Sequence, residues 1–314
     1  PESWEWQKKV IDYIFSFPVD GLNLQSADLG RCSCGESKAM NDLEYHAALN
    51  QKVVQYVRKT YPGKIIGISS WGMDISKTED LSYVAPMTKG ADYFTDVRGW
   101  RPNTRPPGFR SRLVEAIKPC LLSTIGTPNI EPPQHWERDR WFLPTAKRAC
   151  DDLLALYRQG GRAVENFMHI ITNPGDEATI RLQAAIELNP AANWQQEFKL
   201  ILSNMFSSTL PGVNNQLFTL FINAEDAYFE NLKTYNPESA AISLEPLVSD
   251  NTGKPVYIFQ QMDKVGMTKY LSAIEQLILK SESLQKKVGN RLLMEKVSTC
   301  LKNTRKDILF GLQQ

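Results

Sequence analysis

Apolar positions at the start of the chain recur at helical spacing. Trp4, Ile11, Ile14 and Phe15 fall on one side of an amphipathic helix over Glu2 to Phe17. Pro18 and Gly21 break it. The pattern then turns to short extended runs. Leu22-Asn23-Leu24-Gln25-Ser26 reads as a strand and runs into a polar loop from Asp28 to Ser37. A helix over Asp42 to Thr60 buries Leu43, Leu49, Val53, Val54 and Val57; Asn41 or Asp42 caps it, and Pro62-Gly63 ends it. Lys64 to Ser70 is β-branched without polar alternation at its start, as in a strand covered on both faces. After the loop Trp71-Gly72-Met73-Asp74 come a weaker helix or turn near Leu81 to Thr88 and a third strand over Ala91 to Val97. A Pro/Gly-rich loop from Arg98 to Gly108, a helix over Phe109 to Ile117, a fourth strand over Cys120 to Ile125 and a loop from Gly126 to Pro133 follow.

Four strands with helices between them imply right-handed crossovers and a parallel sheet. Either a barrel or an open doubly wound sheet fits this series. No GxGxxG or GxxxxGK[ST] follows any strand, which argues against a nucleotide fold. Polar, acidic and Trp-containing loops follow the strand ends instead, where barrels carry their sites. Four units are half of a closed barrel, so the expectation is a partial TIM-barrel-like half over residues 1–133 with further units upstream of Pro1. From Trp136 onward the strand signal fades. Helices are expected over Trp136–Gln159, Arg162–Ile171, Glu177–Leu188, Trp194–Phe206, Val213–Thr234, Thr268–Lys287 and Arg291–Gly311, with Pro144 a candidate start for the first. A short strand is a candidate at Val256–Phe259. The fold class expected is therefore α/β plus all-α, with an α-helical domain over residues 134–314.

Charge narrows the function. A formal net charge of +1 with no basic stripe argues against nucleic-acid binding. No apolar run reaches the roughly 20 residues needed to span a bilayer. Five cysteines, two of them the pair Cys32 and Cys34, lack zinc-site spacing, and His46, His135 and His169 read as structural. No metal and no cofactor are expected.

The candidate chemistry lies just past the strands. Glycoside hydrolysis needs two carboxyls flanking the scissile bond; Asp28 ends the first strand segment, Asp74 lies just after the second strand and Asp96 ends the third. Asp also caps helices and turns, which is the plainer reading of each. Trp71 and Trp100 are candidate sugar platforms, because a flat indole covers the apolar face of a pyranose; core packing is their alternative. Asn23, Gln25 and Arg31 are candidates for binding hydroxyls or a uronic carboxylate. The stretch His135 to Pro144, dense in Trp and charge, either lines a site or locks the two parts together.

A strand ending at Asp28, the run Gly30-Arg31-Cys32-Ser33-Cys34, Tyr45-His46, Leu49-Asn50 and Tyr61-Pro62-Gly63 together resemble a known pattern. It is that of bacterial proteins frequent among gut polysaccharide degraders, similar to the α-glucuronidase and β-hexosaminidase type of barrel. Asp139 to Pro144 and Gly160-Gly161-Arg162-Ala163 look like their helical C-terminal region. The resemblance implies a carbohydrate partner and a periplasmic or secreted location. Related hexosaminidases carry an adjacent acidic pair after the fourth strand; here Asp28 is followed by Leu29, so that pair is absent. The expectation is a glycoside-hydrolase-like protein acting through an acidic pair. The alternative is a non-catalytic glycan-binding or scaffold protein. A further partner expected on the half-barrel reading is an N-terminal part of the same parent protein.

Overall fold

The computed structural model describes residues 2–25, 34–71, 73, 75, 77–96, 108–126, 141–158, 160–166, 173–232 and 262–313. They group into two compact units. One is built from residues within Pro1–Arg98, Asn103–Ile125 and Leu156–Glu165, and the other from the remaining described residues. The class is mixed α/β with a large helical content.

The first unit carries the strands β1 (Gly21–Leu24), β2 (Ile65–Ser69), β3 (Tyr93–Asp96), β4 (Leu121–Gly126) and β5 (Ala163–Asn166), in that spatial order. The pairings β1–β2, β2–β3 and β3–β4 are parallel. The order never reverses, so these strands contain no topological switch point of the doubly wound kind. β1 and β5 end the order, so the described strands do not close a barrel. β5 lies where periodicity predicted a helix over Arg162–Ile171. Ala-Val-Glu-Asn is too short to separate the two periods, and pairing beside β4 decides it. Residues 167–172 of that expected helix, and the strand candidate Val256–Phe259, lie outside the described residues.

Register assigns each strand position a face. Leu24, Ile68, Phe94 and Leu122 are aligned across four strands. Ile66, Ile68, Phe94 and Leu122 are buried in one cluster with residues of the helices α1 (Glu2–Phe15), α3 (Asp42–Thr60), α4 (Leu81–Thr88) and α5 (Phe109–Ile117). Each such buried side chain contributes about 1.5–3 kcal/mol. A short helix, α2 (Gly35–Lys38), precedes α3. Asn41 and Glu44 form a capping box at the start of α3, with Glu44 N–H donating to Asn41 Oδ1 at 2.8 Å. His46 is buried in this helix, which agrees with a structural role.

Alternation puts Asn23, Gly67, Tyr93 and Leu121 on the opposite face. That face is partly open: Ile65 is 48% and Leu121 47% exposed. Two glycines set the spacing here. A Cβ on Gly21 would lie 2.2 Å from the Ile65 carbonyl oxygen, and one on Gly67 would lie 2.1 Å from the Tyr93 ring. Arg58 locks the amino ends of the strands. Its guanidinium donates to Gly90 O, to Lys64 O and, at 2.5 Å, to Asp92, whose carboxylate also accepts from Ile66 N–H.

The second unit is helical: α6 (Ala146–Arg158), α7 (Pro174–Leu188), α8 (Trp194–Met205), α9 (Pro211–Phe229), α10 (Lys264–Gln285) and α11 (Arg291–Leu312). The division between the units falls within α6. α6 begins at Ala146, two residues after Pro144. Trp141, Phe142 and Leu143 are buried in the helical core. The Trp141 indole N–H donates to Asp307 at 2.7 Å, and the Asn173 amide donates to the Trp141 carbonyl. That indole serves the helical core rather than a sugar.

Candidate functional site

The parallel register brings the carboxyl ends of β1 to β4 to one rim, where Gln25, Trp71 and Asp96 lie. Asn23 lies on β1, paired with Gly67, and is exposed; Gln25 follows β1 and is exposed. Trp71 follows β2 by two residues and is half-buried. Its backbone N–H donates to Ser69 Oγ at 3.2 Å, which turns the chain at the rim. Asp96 is the last residue of β3 and is only 1% exposed. Ser70 N–H donates to the Thr95 carbonyl at 3.0 Å, so the Trp71 turn begins beside the β3 end that carries Asp96. Thus Gln25, Trp71 and Asp96 come to one rim from three strands, with Asn23 two residues below it on β1. Asp28, Arg31, Asp74 and Trp100 lie outside the described residues.

Strand alternation separates two of these groups. Asn23 shares the partly open face with Gly67 and Tyr93, whereas Asp96 shares the helix-covered face with Phe94. At the last turn of a strand the rim is reachable from either face, but the Asp96 carboxyl starts from the packed side.

The structure adds a row that the strand-by-strand reading passed over. Ser69, Thr95 and Ser123 are in register across β2, β3 and β4. All three are at most 2% exposed. They stand on the face of Tyr93, directly above it toward the rim. The signal was present in the sequence as a recurring triplet, one apolar residue then two polar ones: Leu24-Gln25-Ser26, Ile68-Ser69-Ser70, Phe94-Thr95-Asp96 and Leu122-Ser123-Thr124. Its meaning depends on register, because only pairing shows that the hydroxyls form one row.

Thr95 Oγ1 is buried without a hydrogen-bond partner. An unmet buried hydroxyl costs about 1–3 kcal/mol. Thr95→Val keeps the β-branch and removes that group, so we expect the urea midpoint to rise by the equivalent of about 1 kcal/mol. A fall would mean that the hydroxyl is satisfied in solution.

Burial pushes the Cys120 and Cys150 thiols up to about 12, which makes them unreactive. A hydrogen bond to Asp12 raises the Tyr56 hydroxyl to about 12, and Tyr61 donates to the same carboxylate. Among the described residues no three His, Cys, Asp or Glu side chains gather as a metal site, and no helix is long and apolar enough to cross a membrane. The comparisons add no relative: no family model, no curated protein and no solved structure matches the chain.

Proposed function

We propose that this chain is a glycoside-hydrolase-like protein that holds a polysaccharide or complex glycan at the carboxyl rim of its sheet, within a barrel-type arrangement. The observation that carries the reading is the convergence on that rim of the half-buried Trp71 and the buried Asp96, beside the in-register hydroxyls of Ser69, Thr95 and Ser123. A half-buried indole suits the C–H face of a sugar, and the exposed amides of Asn23 and Gln25 suit its polar rim, with the buried hydroxyl row behind them. The unreversed strand order supports the barrel-type arrangement. In the hydrolytic scheme Asp96 is one carboxyl and Asp28 or Asp74 the other. The acid protonates the glycosidic oxygen while its partner acts from the opposite side of the ring, as nucleophile at about 5 Å or as base to water at about 6.5–9.5 Å.

One observation favours a second reading, glycan binding without cleavage: Asp96 alternates with Phe94 and so starts from the helix-covered face. A panel of plant and host glycans, scored for both binding and hydrolysis, decides between them. The hydrolytic reading expects cleavage by the wild type, its loss in Asp28→Asn or Asp96→Asn with binding retained, and roughly tenfold weaker binding in Trp71→Ala. Binding without cleavage selects the second reading. No binding to any glycan ends both.

A further inference from the structure

One end of the helical unit displays apolar and basic side chains together. Two connections lie there: residues 206–210 run from α8 to α9, and residues 286–290 from α10 to α11. Hydrogen bonds join them. Gly289 N–H donates to the Ser207 carbonyl at 3.2 Å, Asn290 N–H to the Phe206 carbonyl at 3.1 Å, and the Asn290 amide to the Met205 carbonyl at 3.0 Å. The Lys287 ammonium reaches Gln216 on α9 at 3.4 Å. A Cβ on Gly289 would lie 2.9 Å from the Ser207 carbonyl oxygen, so only glycine lets the two backbones approach this closely. The seam is held by backbone contacts, and the side chains around it stand on a fixed base.

Those side chains are of two kinds. Leu210, just before α9, is 60% exposed, and Leu292, the second residue of α11, is 79% exposed. Lys286, Lys287 and Arg291 are exposed as well, and among the described residues none of them pairs with a carboxylate. The sequence is one-sided in charge here. No Asp or Glu occurs between Glu197 and Glu225, nor between Glu282 and Glu295. Of the flanking acids, Glu282 is engaged by Lys302 at 2.7 Å, and Glu295 is followed by Lys296. The net charge of +1 for the whole chain conceals this local excess.

We propose that this end of the helical unit docks on an anionic lipid surface. At a bilayer interface apolar side chains enter between the headgroups, while Lys and Arg stay level with the lipid phosphates. Leu210 and Leu292 then leave water, and Lys286, Lys287 and Arg291 meet negative charge. A soluble polyanion would take the cations and leave the leucines in water. An apolar protein partner would take the leucines and leave the cations unpaired. Two leucines enter only shallowly, so the docking is reversible and depends on the negative charge of the lipid. It involves no membrane-crossing helix. The surface belongs to the helical unit alone, so its lipid binding holds or fails apart from the glycan reading.

Sedimentation of the whole chain with lipid vesicles tests it. The chain is expected to sediment with vesicles of phosphatidylcholine and phosphatidylglycerol in equal parts, and to stay in solution with phosphatidylcholine alone. Lys286→Gln/Lys287→Gln is expected to weaken the binding roughly tenfold or more, since each cation near an anionic surface contributes about fivefold. Leu210→Ser/Leu292→Ser is expected to weaken it by roughly tenfold, because the apolar contact is lost. Leu292→Trp keeps an apolar tip suited to the interface and is expected to bind at least as tightly as the wild type. No sedimentation with the mixed vesicles, or equal sedimentation with phosphatidylcholine alone, overturns the proposal. Undiminished binding by the leucine pair variant would assign this end to polyanions in general, and weaker binding by Leu292→Trp would show that the tip does not enter the lipid; either result also overturns it.

Discussion

Replacing Glu225 with Ala is expected to cost about 3–5 kcal/mol of stability, read as a shifted urea midpoint at constant slope. Glu225 on α9 is fully buried and accepts from the first turn of α6: Lys147 N–H at 3.0 Å and Arg148 N–H at 2.8 Å. These are donors that a helix start leaves without intrahelical partners, so a distant carboxylate serves as the cap. The Arg148 guanidinium lies 3.1 Å from both Glu225 and Asp226 and 4.2 Å from the centre of the Phe229 ring. The Ala variant leaves two buried N–H groups unpaired and half-strips a buried guanidinium. Glu225→Gln keeps one acceptor and recovers part of the loss.

The same carboxyl makes stability depend on pH. Burial raises it to about 7 from the ordinary 4.5, against the lowering effect of Arg148. A raised carboxyl holds its proton more tightly in the folded state than in the unfolded one. Its contribution is therefore greatest below 4.5 and declines as pH rises toward 7. The difference corresponds to roughly 3 kcal/mol. Urea midpoints between about pH 4.5 and pH 8 should fall more steeply for the wild type than for Glu225→Gln. Parallel profiles would show that Glu225 does not titrate in this window.

Phe221→Ala is expected to cost a similar 3–5 kcal/mol. Phe221 has no exposed surface and receives three rings edge to face: Phe142 at 4.9 Å, Phe198 at 5.8 Å and Phe206 at 5.9 Å. These come from the segment before α6, from α8 and from the turn after it. Deleting the ring opens a cavity bounded by three stiff neighbours that cannot collapse into it. Phe221→Leu fills most of that space and should lose less than half as much. Equal losses in the two variants would mean that ring geometry, rather than volume, holds this centre together.

The helices α1, α3, α4 and α5 and four strands of the first unit were legible, whereas the one-turn α2 falls in a stretch that reads as a polar loop. Asn41 and Glu44 announce α3, Pro62-Gly63 closes it, and the β-branched run over Ile65–Ser69 follows within two residues. β5 was not legible. A four-residue segment holds barely one helical turn, and partnership with β4 outweighs its local preference. The site shows the same limit. Trp71 and Asp96 were readable as aromatic and acidic residues at or just past strand ends, since that placement depends only on where a strand ends. The hydroxyl row was not, although its triplets lay in plain view.

By itself, then, the sequence determined the alternation of helix and strand, the parallel sense of the sheet and the helical character of the second half, because caps, breakers and apolar period act over a few residues. Tertiary structure alone decided which residues meet: that Ser69, Thr95 and Ser123 share a row, that Asp96 starts from the packed face, that Trp141 binds Asp307 rather than a sugar, and that Glu225 caps a helix 77 residues away. The physical reason is that register and face are properties of pairs of elements, set when strands hydrogen-bond and cores exclude water, and no local period encodes the partner.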